Sequence, residues 1–77
     1  MKATLEEVKN IFAQEVDTSI DVPNMDPTLS IGDYGIDSLD RSSIFLALDD
    51  KYGVSFTDGD IKNLDTINKI IDFINKA

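Results

Sequence analysis

The chain has 77 residues, 15 acidic and seven basic, with a formal net charge of −8 and neither histidine nor cysteine. This length predicts a single domain, residues 1–77, with a stability of about 3–5 kcal/mol. The missing residue types exclude disulfides, thiolate or imidazole metal sites, and Cys–His or Ser–His catalysis, so we expect neither an enzyme nor a metal site. The negative charge opposes nucleic acid and anionic membranes and favours basic protein patches, although it also serves simple solubility.

The first predicted element is a helix that opens with a capping box between Thr4 and Glu7 and runs to about Val16. Its apolar residues recur at helical spacing and form one face: Leu5, Val8, Ile11, Phe12 and Val16. We therefore expect a core helix.

Residues 17 to about 36 carry too many proline, glycine, aspartate and asparagine residues for a regular element. Apolar residues nevertheless recur through this stretch, and we expect them to pin it to the core: Ile20, Val22, Met25, Leu29, Ile31 and Tyr34. The pattern predicts a long connection between two antiparallel helices of a bundle.

A second helix is predicted from Ser38 to about Tyr52, with Asp37 as its N-cap and Gly53 as its C-terminal stop. Asp40 completes something close to a capping box with Asp37. One stripe of the helix is its core face: Ile44, Phe45, Leu48 and Tyr52. The opposite side carries Leu39 and Leu46 among polar residues, a pattern that indicates a partner.

Val54 to Phe56 should be extended, and Thr57 or Asp58 should cap a single turn that runs through Ile61 and Leu64. Asp65 or Thr66 should cap the last helix. That helix carries an apolar stripe with Phe73 beside it: Ile67, Ile70, Ile71 and Ile74. The predicted fold is all-α, a small four-helix bundle of three long helices and one short helix, with a long first loop.

Ser38 is the candidate for chemistry. It sits at the first helical position, exposed, at the positive end of the helix dipole. A phosphate attached to its hydroxyl would meet unpaired backbone N–H groups. We predict that this serine receives a phosphate ester and does not attack a substrate.

The tripeptide Asp37-Ser38-Leu39 follows Gly35 in an acidic chain of this length and helix order, and the whole chain resembles the acyl carrier proteins of fatty-acid and polyketide synthesis. The resemblance implies that Ser38 carries 4′-phosphopantetheine, whose thiol holds acyl chains as thioesters, and that Asp37 helps to position Ser38. It implies a docking face on the second helix, formed by Leu39, Asp40, Leu46, Asp49 and Asp50. It implies an acyl pocket beside the short helix, at residues that ordinary core packing explains equally well: Ile44, Phe45, Leu48, Phe56, Ile61 and Leu64.

The partners implied are a phosphopantetheinyl transferase, and ketoacyl synthase and acyltransferase enzymes that present basic patches, with no nucleic acid or membrane. We expect a cytoplasmic monomer. The chain departs from typical fatty-acid carriers at four positions, which favours a specialised carrier: Arg41, Ser42, Ser43 and Lys51. Acyl length and pathway stay open, including polyketide, lipopeptide or cell-wall assembly. The alternative outside this class is an acidic adaptor or nucleic-acid mimic, in which Ser38 merely begins a helix.

Overall fold

The structure is a computed structural model that describes residues 2–77, and its regular structure in that range is entirely helical. The helices are α1 (Leu5–Glu15), α2 (Ser38–Tyr52), α3 (Asp58–Asn63) and α4 (Ile67–Lys76). The prediction of three long helices, one short helix and a long first loop is confirmed. Within residues 2–77 no helix has both the length and the apolar character needed to cross a bilayer.

The boundaries of α2 follow the local signals in the sequence. Asp37 Oδ1 accepts a hydrogen bond from the N–H of Asp40 at 2.9 Å, which satisfies one of the donors left free at the helix start. Gly53 ends the helix with φ of 65°, a left-handed conformation that glycine adopts without a steric penalty. Asp40 does not return the bond to Asp37, so the capping box predicted here is only half formed.

The first helix also has half of its predicted capping box. Thr4 Oγ1 accepts from the N–H of Glu7 at 3.3 Å. The carboxylate of Glu7 does not return a bond to Thr4. It accepts a hydrogen bond from the hydroxyl of Tyr52 at 3.1 Å, which links α1 to the end of α2. Both bonds of a capping box form at α3, between Thr57 and Asp60, and Thr66 caps α4. The sequence left two alternatives for each of these caps, and the threonine is the observed cap in both helices.

The core lies where α1 packs against α2 and α4. The predicted core face of α2 is buried, as is most of the predicted stripe of α4. The side chains with the least exposed surface include Val8, Phe12, Ile44, Leu48, Ile67, Ile70 and Ile74. Full burial of one such side chain contributes about 1.5–3 kcal/mol, so these contacts dominate the stability of a domain this small.

The connection between α1 and α2 is more regular than predicted. It contains two 3₁₀ turns, Val22–Asn24 and Ile31–Tyr34, and the first has a proline near its start, where the missing N–H is not needed. Met25 is buried with Val22 and Ile31, so the predicted anchoring is confirmed there. It is wrong for Leu29, whose side chain is about half exposed.

Hydrogen bonds from Lys9 and from the backbone hold this connection at two points along its length. Lys9 Nζ donates to the carbonyl oxygens of Pro23 at 3.1 Å and Met25 at 2.8 Å, which ties the first turn to α1. The N–H of Ile31 donates to the carbonyl of Asp65 at 2.7 Å, beside α4. The loop is therefore held on two sides before the chain enters α2.

Candidate functional site

Ser38 is the first residue of α2, and its side chain is exposed. Gly35, with φ of 81°, turns the chain shortly before it, and Asp37 is extended at the cap position. The first-turn N–H groups of a helix have no intrahelical partners, and the dipole is positive at this end. An anionic group joined to the Ser38 hydroxyl would therefore lie in a favourable field.

A groove of about 370 Å³ opens beside Ser38, between α2 and α3. Its walls are Ser38, Arg41, Ser42, Asp58, Gly59, Ile61 and Lys62. A second hollow of about 180 Å³ shares Ser42 and Ile61 with it, and its other walls are Phe45, Leu46, Asp49 and Phe56. The space beside Ser38 thus adjoins a second, aromatic-lined space along the same pair of helices.

Aromatic rings pack against one another at the second hollow. Phe45 meets Phe56 edge to face, with ring centroids 4.9 Å apart, and Phe56 stacks on Phe73 at 5.3 Å. Of the predicted acyl-pocket residues, the structure brings Phe45, Phe56 and Ile61 to these walls. The others lie outside them: Ile44 and Leu48 are buried in the core, and Leu64 is half-buried.

Arg41 is the residue whose role the sequence did not show. Its Nη2 donates to the carbonyl oxygen of Ile61 at 2.5 Å, so the side chain reaches from α2 to α3 along the groove. Its Nε is buried and has no hydrogen-bond partner within residues 2–77. The two bonded residues are 20 positions apart, and no local pattern in the sequence connects them.

Asp65 lies close enough to Arg41 to be affected by its charge. A hydrogen bond from Lys69 Nζ at 3.0 Å lowers the pKa of the Asp65 carboxyl, and the charge of Arg41 adds a smaller lowering effect.

The side of α2 away from its core face carries the predicted docking residues. Leu39 is 78% exposed and Leu46 is 65% exposed. Residues seven positions apart lie on the same side of a helix, so the two leucines form one exposed apolar strip. Asp50 is exposed, while Asp40 and Asp49 are half-buried. Apolar and acidic groups therefore occur together on this side of α2, with both leucines and Asp50 exposed.

Comparison with known proteins places this arrangement in a class. Residues 6–74 match the family described as the phosphopantetheine attachment site. The match includes Ser38, the whole of α2 and α3, and all but the outer ends of α1 and α4. The domain is thus one of the helical carriers that use phosphopantetheine.

Its relatives are more specific. The acyl carrier protein of Thermosynechococcus vestitus is 36% identical over 72 residues, which cover 92% of this chain and 86% of the relative. The acyl carrier protein of Micrococcus luteus is 35% identical, over 97% of this chain and 96% of the relative. The acyl carrier protein of Myxococcus xanthus is also 35% identical, over 97% of this chain and 99% of the relative. The chain belongs to the acyl carrier protein family.

Membership confirms several of the predictions. Proteins of this family are carriers and not enzymes, and their cofactor is 4′-phosphopantetheine. They interact with synthase and transferase enzymes and with acyl chains. The residues present here fit the cofactor, because an exposed hydroxyl stands at an open helix start beside a groove.

Proposed function

We propose that the protein holds acyl intermediates as thioesters on a 4′-phosphopantetheine arm attached to Ser38, and presents them to synthase and transferase enzymes. The observation that carries the proposal is the position of Ser38, which is exposed at the start of α2 and lines the groove between α2 and α3. The cofactor supplies a terminal thiol, which forms the thioester.

The residues around Ser38 have separate tasks. Asp37 fixes the first turn of α2 through its bond to Asp40, and so holds the Ser38 hydroxyl in place for the modifying transferase. The free N–H groups and the dipole of that turn stabilise the charge of a phosphodiester. Phe45, Phe56 and the other apolar side chains of the second hollow shield an acyl chain from water.

The outer face of α2 would bind the enzymes. Leu39 and Leu46 offer apolar surface, and three acids surround it: Asp40, Asp49 and Asp50. Opposite charges at the edge of an interface mainly raise the association rate, whereas buried apolar contacts slow dissociation. A carrier that visits several enzymes in turn is suited by fast encounters of this kind.

Intact mass spectrometry tests the attachment site. The apo protein is incubated with coenzyme A and a phosphopantetheinyl transferase of broad specificity. The wild type should gain one phosphopantetheinyl group and Ser38→Ala none. Ser42→Ala is the matched control, because Ser42 lies on the same helix and lines the same groove. A folded wild type without an adduct, or a Ser38→Ala protein with one, would contradict the proposal.

Thermal melting of the same variants separates function from folding. Within residues 2–77 we find no hydrogen bond made by the Ser38 side chain, and an exposed serine contributes little to packing. Ser38→Ala should therefore change the stability by less than about 0.5 kcal/mol. A large loss would mean that the missing adduct reflects unfolding.

The finer proposal is that this carrier is specialised. By resemblance, typical fatty-acid carriers have a hydrophobic residue at Ser42 and acids at Ser43 and Lys51. Here Ser43 and Lys51 are exposed, and Arg41 is directed towards α3. Together these differences should weaken binding to a housekeeping partner by about 10- to 100-fold, at about 1.4 kcal/mol per tenfold.

Elongation by a housekeeping ketoacyl synthase tests the specialisation. The double variant Ser42→Val, Ser43→Glu should improve on the wild type as a substrate, and Lys51→Glu should improve it further. If the wild type already matches a general fatty-acid carrier and the variants gain nothing, the idea of specialisation fails. The attachment at Ser38 would be unaffected by that result.

A further inference from the structure

Two spaces flank the start of α2, and Ser38 opens onto one of them. It lines the groove between α2 and α3. On the side of the long loop lies a larger hollow of about 590 Å³, whose walls within residues 2–77 include Asp37 and Asp40 but not Ser38. A group attached to the Ser38 hydroxyl therefore leaves the helix on the side of α3.

The two spaces carry opposite charge. We call the hollow on the loop side the acidic hollow, because among residues 2–77 its walls hold no basic residue and four acids: Asp17, Asp21, Asp37 and Asp40. The groove has the cations Arg41 and Lys62 in its walls and one acid, Asp58. Charges closer than the Debye length, about 8 Å at physiological ionic strength, are only partly screened. A phosphodiester on Ser38 would thus be repelled by the acidic hollow and attracted by the groove.

Of the two cations, Lys62 is the one that is free to meet the phosphodiester. Arg41 already donates to the carbonyl of Ile61, and its Nε is shielded from water, so it contributes its charge but no new bond. Lys62 is exposed on α3, and within residues 2–77 it makes no ion pair, even with Asp58 four positions earlier. A lysine ammonium on its flexible stem binds phosphate as a point charge and needs no fixed geometry.

We propose that Lys62 binds the phosphodiester of the arm on Ser38 and so orients the arm along α3, away from the acidic hollow. The proposal rests on the proposed function, because the phosphodiester is present only if Ser38 carries the arm. It deepens that function by naming the residue that sets the direction of the arm. An arm held on this side begins next to the second hollow, where Phe45 and Phe56 lie.

The test uses the absence of cysteine from the chain. In the protein loaded from coenzyme A, the thiol of the arm is the only thiol, so a maleimide spin label attaches there and nowhere else. Paramagnetic broadening of backbone amide signals in ¹⁵N NMR spectra then reports where the arm lies. Broadening of residues 58–63 reports the groove, and broadening of residues 17–24 reports the acidic hollow.

The variants are Lys62→Met and Lys62→Glu, with Lys76→Met as the matched control. Lys62 and Lys76 are both exposed, and each lies in the last turn of its helix, α3 or α4. Each change to methionine therefore removes one charge from a similar position, but only Lys62 lines the groove. The ³¹P NMR signal of the phosphodiester is recorded on the same samples before labelling, and it reports contacts of the phosphate itself.

In the wild type, broadening should be greater for residues 58–63 than for residues 17–24. Lys62→Met should reduce the broadening of residues 58–63 about two- to threefold, the range expected when an exposed ion pair is lost. Lys62→Glu should reduce it further, and Lys76→Met should leave it unchanged. The ³¹P signal should move in Lys62→Met and stay in place in Lys76→Met. Added NaCl should lower the wild-type broadening towards that of Lys62→Met, because salt screens the pair.

Equal broadening of residues 58–63 in the wild type and Lys62→Met would overturn the proposal. So would an equal effect of Lys76→Met, because the net charge of the domain would then explain the change. Stronger broadening of residues 17–24 in the wild type would place the arm at the acidic hollow. If circular dichroism shows that the Lys62 variants do not fold, the salt series of the wild type decides, and insensitivity to NaCl contradicts the ion pair. A wild type that gains no arm overturns the proposed function as well, and its mass spectrum shows this before any label is added.

Discussion

The two sides of α2 differ in how they are packed. On one side α2 meets α1, which in turn packs against α4, and these three helices supply fully buried side chains to one core. On the other side α2 faces α3, where none of residues 58–63 is buried and a groove separates the helices. The comparison indicates that stability resides mainly in the three long helices, which leaves the side with α3 free to hold cargo.

α3 depends on local bonds to a greater degree than the long helices do. It has six residues, too few for a helix to be stable alone in water. The capping box between Thr57 and Asp60 satisfies donors at its start, and Arg41 satisfies a carbonyl near its end. Because these bonds are few and mostly exposed, α3 should open more readily than the core.

The largest expected effect contrasts one apolar side chain from each side of α2. Leu48→Ala should lose about 2–5 kcal/mol, because a fully buried leucine leaves a cavity in the core. Ile61→Ala removes a half-buried residue of the groove wall and should lose about 1 kcal/mol. Urea denaturation followed by circular dichroism measures both. Equal losses would mean that α3 is as much a part of the core as α4.

The bond between α1 and α2 gives a pH-dependent test of the core side. Burial, aided by the hydrogen bond to Glu7, raises the pKa of Tyr52 from 10.0 to about 12. Because the folded state favours the protonated phenol, the raised pKa contributes to the free energy of unfolding. This contribution is complete below pH 10 and is lost as the pH rises towards 12. The loss should reach about 3 kcal/mol at most.

Tyr52→Phe isolates that contribution from the lysines, which titrate in the same range. The variant should show a smaller decrease in melting temperature between pH 9 and pH 12 than the wild type, as measured by thermal denaturation at each pH. An identical decrease in both proteins would show that the Tyr52 hydroxyl is not held in the core.

The caps of α2 and α3 test whether the two sides open independently. Asp37→Ala and Thr57→Ala each remove a side-chain cap worth about 1 kcal/mol. In Thr57→Ala, amide hydrogen exchange should become about fivefold faster in residues 58–63 and stay unchanged in α1 and α4. In Asp37→Ala, the free energy of global unfolding should decrease, because α2 belongs to the core. Uniform acceleration by Thr57→Ala would show that α3 opens only with the whole domain.

The smallest expected effect concerns charge. Between Lys9 and Arg41 the chain has no basic residue and seven acids: Glu15, Asp17, Asp21, Asp26, Asp33, Asp37 and Asp40. Within residues 2–77 the one ion pair lies elsewhere, between Lys69 and Asp65 at α4. Low ionic strength should therefore destabilise the apo protein by less than about 1 kcal/mol, and millimolar Mg²⁺ should reverse this. Melting temperatures in NaCl and MgCl₂ at matched ionic strength provide the measurement, and insensitivity to both salts would contradict it.

The features that the sequence predicts well are those with local causes. The bounds of α2 match the prediction because an N-cap aspartate and a terminal glycine act within one turn of the helix. The core stripes follow from periodicity alone. Ser38 could be placed at the helix start for the same local reason, whereas the shape of the groove depends on how α3 packs.

The features that were missed depend on distant contacts. The capping box at Thr4 is incomplete because Glu7 pairs with Tyr52, which is 45 positions away. The bond between Arg41 and Ile61 is also non-local, so composition showed only an extra charge in the first turn. Leu29 has the apolar spacing of its neighbours, but tertiary packing leaves it exposed.

The two hydrogen bonds from Lys9 to the loop have a practical consequence for chemical labelling. Among residues 2–77 Lys9 alone of the lysines is partly buried, and the exposed ones are Lys2, Lys51, Lys62, Lys69 and Lys76. An ammonium group that donates to two carbonyl oxygens is less available to amine-reactive reagents than one in free solution. Lys9 should therefore be the last amine to be labelled, and the rate at which it reacts reports how often the loop leaves α1. The chain thus contains its own probe of the segment that leads to Ser38.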